Sequence, residues 1–164
     1  PMVRLGAIKG LNEWIERKIS QIDKVRLGVA FAVALDDPDE NVRGYAAMST
    51  GNLKQPEHFA SLHNLRNDTK PFVRQQVALA LGNMGNISGL EALFGFLEDP
   101  HWHVRHNAIA ALKCFPSYKV IGRIYPLLED TSPEVRSIAR EVIEALQNDV
   151  ELSMKNIEAT NLRG

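Results

Sequence analysis

The segments DDPDENVR (36–43), NDTKPFVR (67–74), EDPHWHVR (98–105) and EDTSPEVR (129–136) share one pattern, an Asp six residues before an Arg that follows Val. The valines, Val42, Val73, Val104 and Val135, stand 31 residues apart each time. A fixed period of this length predicts a repeat architecture, in which one unit cannot bury its apolar face alone and stacks on its neighbours. Each Asp, with a Pro at 38, 71, 100 or 133, marks a turn, because proline is tolerated in a turn or first helical turn where its missing N–H costs nothing. A helix then follows, expected over about 40–53, 71–84, 102–115 and 133–147. Counted from each Val, offset +4 is Ala46, Val77, Ala108 and Ala139, and offset +8 is Thr50, Leu81, Leu112 and Ile143. Offset +11 is Leu53, Met84, Phe115 and Leu146. Small residues at +4 let helices approach closely, and the larger ones fill the space between them.

Outward from these units, an apolar residue closes the helix before each turn: Leu35, Leu65, Leu97 and Leu128. The connectors at 55–56, 85–88 and 115–119 carry helix-ending Gly, Pro, Asn and Ser. Toward the N-terminus, residues 2–19 read as a helix with a stripe Val3, Ala7, Leu11 and Trp14. This helix is either a plain cap or the second helix of an incomplete repeat, since 39 residues separate Val3 from Val42, an insertion of 8. Residues 20–35 form the next helix, with Ser20 as N-cap and an apolar run from Val29 that predicts burial between neighbours. After Leu146 the pattern fades, and Val150, Met154, Ile157 and Ala159 suit one more short capping helix before a frayed end. The chain therefore reads as a single domain over 1–164, divided at 1–19, 20–53, 54–84, 85–115, 116–147 and 148–164.

Composition is that of an ordinary globular chain: 164 residues, 45% apolar, 24% charged and a formal charge of −1. The balance argues against a polyanion binder, and the single Cys114 against a disulfide framework. No apolar run approaches the roughly 18 residues that span a bilayer. The start has no signal-peptide pattern, and a cytoplasmic location is expected.

The Asp–x4–Val–Arg–x2–Ala/Val element, with ALALG (78–82) and AIAAL (108–112), resembles HEAT repeats of the short subclass first noted in phycobilin lyase subunits. The resemblance covers about 37–146. It implies an all-α, right-handed α-solenoid of about four to five stacked two-helix HEAT-like repeats, and it is unspecific for function. Iron-binding members of the family carry His-Glu pairs on successive helices; this chain has no His-Glu dipeptide.

Asp37, Asp68, Asp99 and Asp130 with Arg43, Arg74, Arg105 and Arg136 are read as a structural ladder, each Asp accepting backbone N–H groups and pairing with an Arg of its own or the adjoining repeat. His101, His103 and His106 cluster in HWHVRH without a fourth donor spaced to close a zinc site, so no metal and no cofactor are expected. Cys114, beside Phe115, is read as an inert buried thiol. Trp102, Tyr45 and Tyr118 are the aromatics expected to be partly exposed.

The second helices are expected to line a concave face. Its ribbon is predicted from Gly44, Tyr45, Met48, Gln75, Gln76, Leu79, His106, Ala110, Lys113 and Glu141, which lack the continuous basic stripe of a nucleic-acid groove. Gly44, Gly51 and Gly82 on this ribbon suggest close approach of a partner helix or peptide, with packing of the N-terminal helix as the plainer reading. No nucleophile with its base, phosphate loop or dinucleotide fingerprint is present. The sequence thus predicts a non-catalytic scaffold or adaptor that binds a protein or peptide, with no nucleic acid and no membrane. The alternative, on resemblance alone, is an accessory subunit of a bilin lyase or similar chromophore-handling enzyme.

Overall fold

The computed structural model describes the backbone of residues 2–15 and 21–161 and the side chains of 2–11, 23–153 and 155. The described residues form α-helices α1 (Met2–Ile15), α2 (Gln21–Ala34), α3 (Glu40–Leu53), α4 (Phe59–Asn64), α5 (Pro71–Met84), α6 (Leu90–Phe96), α7 (Trp102–Leu112), α8 (Tyr118–Ile124) and α9 (Pro133–Asn161). Short 3-10 turns occupy Pro56–His58, Leu65–Asn67, Ile87–Gly89 and Tyr125–Glu129. The chain is an all-α solenoid. Helices α3, α5, α7 and α9 stack side by side, α1 lies against α3, and α2, α4, α6 and α8 form the other layer.

Helix starts and stops follow local chemistry. Asp39 caps α3 by accepting from the Asn41 and Val42 amides at 2.9 and 3.3 Å, and Ser117 caps α8 by accepting from Val120 at 3.3 Å. Pro71 and Pro133 sit at first helical positions, where no N–H is needed. Gly85 ends α5 in the left-handed region at φ 62°, a conformation that costs glycine nothing. Pro126 follows α8 and turns the chain into a 3-10 segment.

The core lies between the two layers. Val42, Ala46 and Thr50 of α3, Val73, Val77 and Leu81 of α5, and their counterparts in α7 and α9 are buried. Thr50 satisfies its hydroxyl on Ala46 O at 2.8 Å. Phe31, Leu62, Leu93, Phe94 and Ile124 supply the opposing side, and each such side chain contributes about 1.5–3 kcal/mol of burial.

Three expectations need correction. The buried face of α1 is Ile8, flanked by Leu5 and Leu11, whereas Val3 is 87% exposed and Ala7 is also exposed. Of the expected stripe only Leu11 packs against the core, because the buried face runs through Leu5 and Ile8; Trp14's side chain and Ser20 lie outside the described residues. Helix α2 is not buried all round: Leu27, Phe31 and Leu35 face the core, while Val25, Val29 and Val33 point outward from one face. Finally, α9 continues unbroken to Asn161 in place of a separate capping helix, because residues 147–161 contain neither Gly nor Pro to stop it.

Candidate functional site

The periodic Asp and Arg residues meet across adjacent repeats. Arg43 Nε and Nη2 donate to both carboxylate oxygens of Asp68 at 2.8 and 3.1 Å, and its Nη1 donates to Asp37 O at 2.8 Å. Arg74 holds Asp99 at 2.7 and 2.9 Å, with Nη1 on Asp68 O at 2.8 Å. Arg105 holds Asp130 at 2.7 and 2.6 Å, with Nη1 on Asp99 O at 2.8 Å. Each Asp also accepts the amide two residues on, from Asp39, Lys70, His101 and Ser132 in turn. One guanidinium therefore ties its own turn to the next through a two-pronged, charge-assisted contact. Arg4 of α1 adds a rung that the sequence reading missed, holding Asp37 at 2.6 and 3.1 Å. The signal was present: Val3-Arg4 repeats the dipeptide, and its 33-residue step to Asp37 exceeds the usual 25 by the same insertion of 8.

These contacts set the charge states. Burial pushes the Asp68 and Asp99 carboxyls up, but hydrogen bonds from Arg43 or Arg74 and from the Lys70 or His101 amide outweigh it, leaving both lowered. Asp130 is lowered chiefly by Arg105, and Asp37 chiefly by Arg4. Lowered carboxyls bind fewer protons folded than unfolded, so their stability is complete above the unfolded value of about 3.9. It is lost as pH falls through the lower folded values. Thermal unfolding from pH 7 to 2 is expected to show a midpoint that falls chiefly below about pH 4. A drop concentrated between pH 7 and 5 would contradict this assignment.

The concave ribbon is only partly as expected. Tyr45, Met48, Gln75, Gln76, Leu79, His106 and Ala110 are half-buried, and Lys113 and Glu141 are exposed, their charged ends 3.8 Å apart. Lys9 lies 4.6 Å above the Tyr45 ring. Gly44 does not belong to this surface: it is buried beneath the Phe72 ring. A Cβ on Gly51 would lie 2.5 Å from Ala80 Cα, and one on Gly82 would lie 2.6 and 2.8 Å from Ala111 Cβ and Cα. These glycines admit the next helix of the solenoid, not an outside partner and not the N-terminal helix.

Trp102 stacks on His103 with ring centroids 3.6 Å apart and meets His106 edge-on at 6.4 Å. His106 Nδ1 lies 3.2 Å from Asn107 Oδ1. Among the described residues no three of His, Cys, Asp and Glu come together to hold a metal. With no His-Glu dipeptide in the sequence, the donor set that the resemblance associates with iron does not fit these residues. Cys114 is exposed, not buried, because α7 ends at Leu112 and the thiol lies in the following turn. Tyr118 is 61% exposed. A cleft of about 550 Å³ opens between the 66–69 turn, α6 and the 98–100 turn, and none of the ribbon residues lines it. No described helix is long and apolar enough to cross a membrane.

A family model described as HEAT repeats matches residues 29–113, and the chain belongs to the HEAT-repeat family. Among curated proteins it is similar to deoxyhypusine hydroxylase of Aspergillus oryzae, 36% identical over 107 residues, covering 63% of this chain and 31% of that protein. The Phaeosphaeria nodorum deoxyhypusine hydroxylase is 37% identical over 86 residues, 51% of this chain and 26% of that protein. The chain thus spans between a quarter and a third of the length of the curated relatives it matches. Among solved structures, the complex of CpcE and CpcF of phycocyanin lyase from Nostoc matches with TM-score 0.74 at 20% identity, over 90% of this chain and 60% of that one. A designed armadillo repeat protein in complex with the peptide (KR)4 matches with TM-score 0.62 at 19% identity, over 82% of this chain and 69% of that one. At such identities these structures establish the fold alone.

The relatives overturn the expectation of a non-catalytic scaffold, because they are named as an enzyme. The bilin-lyase alternative gains nothing from a likeness in fold. The short repeat motif is common to enzymes and binding proteins, so it carried no signal that separates them.

Proposed function

We propose that the chain is a substrate-holding segment of an enzyme of the deoxyhypusine hydroxylase kind. The observation that carries this reading is the 36% identity over 107 residues to a curated deoxyhypusine hydroxylase. The substrate is a protein bearing deoxyhypusine, and the half-exposed ribbon of Tyr45, Met48, Gln75, Leu79 and His106 is the wall against which it lies. A rigid wall made of second helices supports this role: it fixes the orientation of a bound chain without loop rearrangement. The hydroxylating centre is supplied by residues other than those described, whose donors do not converge on a metal.

The test is retention of a deoxyhypusine-bearing protein by the purified chain, compared with the same protein carrying unmodified lysine. The Met48→Glu/Leu79→Glu double variant is expected to weaken retention about 10- to 100-fold, as for loss of a central apolar contact, with helicity unchanged by circular dichroism. Equal retention of modified and unmodified protein, or full retention by the double variant, would overturn the proposal.

A further inference from the structure

The open side of the inner second helices has a chemistry unlike the rest of the surface. In α3, α5 and α7, offsets 0, +4 and +8 from the periodic Val face the core, and Gly51 and Gly82 at +9 face the next helix. Offsets +3, +6 and +10 remain on the open side, and none of the residues there is buried. None carries a formal charge either, in a chain of which 24% is charged. On the outer layer, by contrast, Glu91, Glu98, Lys119 and Arg123 are all exposed.

These positions sort into three rows. Offset +6 is an apolar floor of Met48, Leu79 and Ala110. On one side of it, at +10, Asn83 Nδ2 donates to Asn52 Oδ1 at 3.0 Å, so the row is aligned from helix to helix. On the other side, at +3, stand Tyr45, Gln76 and Asn107. Charge returns only at the ends, with Lys9 above the Tyr45 ring and Glu141 3.8 Å from Lys113. Within the neutral stretch, carboxamide groups are left over. The Asn83 oxygen and the remaining Asn52 Nδ2 hydrogen have no partner among the described residues, and the Gln76 carboxamide has none. Asn107 meets His106 through its oxygen, which leaves its Nδ2.

We propose that this groove binds an extended polypeptide segment by its backbone, the carboxamide rows taking its N–H and C=O groups and the apolar floor taking alternate side chains. The proposal rests on the ribbon being the wall described above and adds the chemistry of what lies on it. A carboxamide carries a donor and an acceptor side by side, as a peptide group does. In an extended chain the main-chain groups point sideways while successive side chains alternate between the two faces, which matches two polar rims about an apolar floor. Three helices packed about 8–10 Å apart span about 20 Å, the length of roughly six extended residues. A charged ligand would meet no counter-ion along these rows.

The probe is the blocked peptide acetyl-(Ser-Leu)4-amide, which in extended form turns every second residue to the floor. It is titrated into the chain carrying 15N-labelled asparagine and glutamine, following the side-chain amide resonances of Asn52, Asn83 and Gln76. The expected result is a saturable shift of all three. Binding should be at least about tenfold weaker for the same peptide N-methylated at its serines, and for the Asn52→Leu/Asn83→Leu protein. Between about 50 and about 500 mM salt the affinity should stay within about twofold, because no charge is engaged. Both asparagines are exposed, and methylating the peptide leaves the protein intact, so loss of fold cannot mimic the result. No saturable shift, equal binding of the methylated peptide, or a steep fall with salt would overturn the proposal. Such a failure beside selective retention of the deoxyhypusine-bearing protein overturns the backbone contact alone, whereas peptide binding without that selectivity overturns only the enzyme reading.

Discussion

Asp99→Ala is expected to destabilise the fold by about 3 kcal/mol or more, the range for stripping one partner from a buried ion pair. Asp99 is 8% exposed and has two duties, accepting both prongs of Arg74 and the His101 amide. Alanine removes both and leaves a guanidinium whose side chain is only 12% exposed without its counter-ion. Asp99→Asn retains an acceptor for the amide and for one prong, so a smaller loss of about 1–2 kcal/mol is expected. Arg74→Ala in combination with Asp99→Ala removes the stranded charge, and the double variant should be less destabilised than the sum of the single ones. Denaturant unfolding of the four variants measures the cycle. Strict additivity would mean that the pair contributes nothing as a pair.

Gly82→Val is the second change with a large expected effect. A Cβ on Gly82 lies 2.6 Å from Ala111 Cβ and 2.8 Å from Ala111 Cα, so the obstruction includes backbone and cannot be relieved by a rotamer. Valine adds two further carbons at this contact, and α5 must move away from α7. The expected loss is about 3 kcal/mol, at the upper end for overpacked cores. Gly122 provides the opposite case. Nothing lies within 4 Å of a Cβ built there, and α8 is helical through it. Gly122→Ala should therefore stabilise the protein by about 0.5–1 kcal/mol, the helix preference of alanine alone. Thermal midpoints that move the same way for both variants would contradict the packing account.

The turns and the starts of the second helices were legible because they rest on local chemistry. An Asp that accepts the amide two residues on and an Arg one turn into the next helix are both encoded within eight residues. The two-helix layering was legible for a similar reason, since Val, Ala and Leu at offsets 0, +4 and +8 mark one core-facing side. What the sequence hid was the second and third buried sides of each helix. A projection of one helix ranks residues by distance from its own core stripe, so offsets +2 and +9 look outermost. In a stack, the same offsets face the neighbouring helix, which is why Gly44, Gly51 and Gly82 are buried. Catalytic association was not legible, because the residues that define the fold are those shared by enzymes and binding proteins alike.

The uniform 25-residue reach of the Arg–Asp contacts has a consequence for how such a chain changes length. Excising residues 54–84 would bring Arg43 opposite Asp99 in place of Asp68. It would also set Gly51 against Ala111 in place of Ala80, and Gly44 against the His103 ring in place of Phe72. The Arg–Asp joint is written in the same letters at each level, whereas the residues beside it vary. Loss of the 54–84 cassette therefore keeps a carboxylate opposite Arg43 and an alanine opposite Gly51. The shortened chain would thus retain the ion pair that ties one turn to the next.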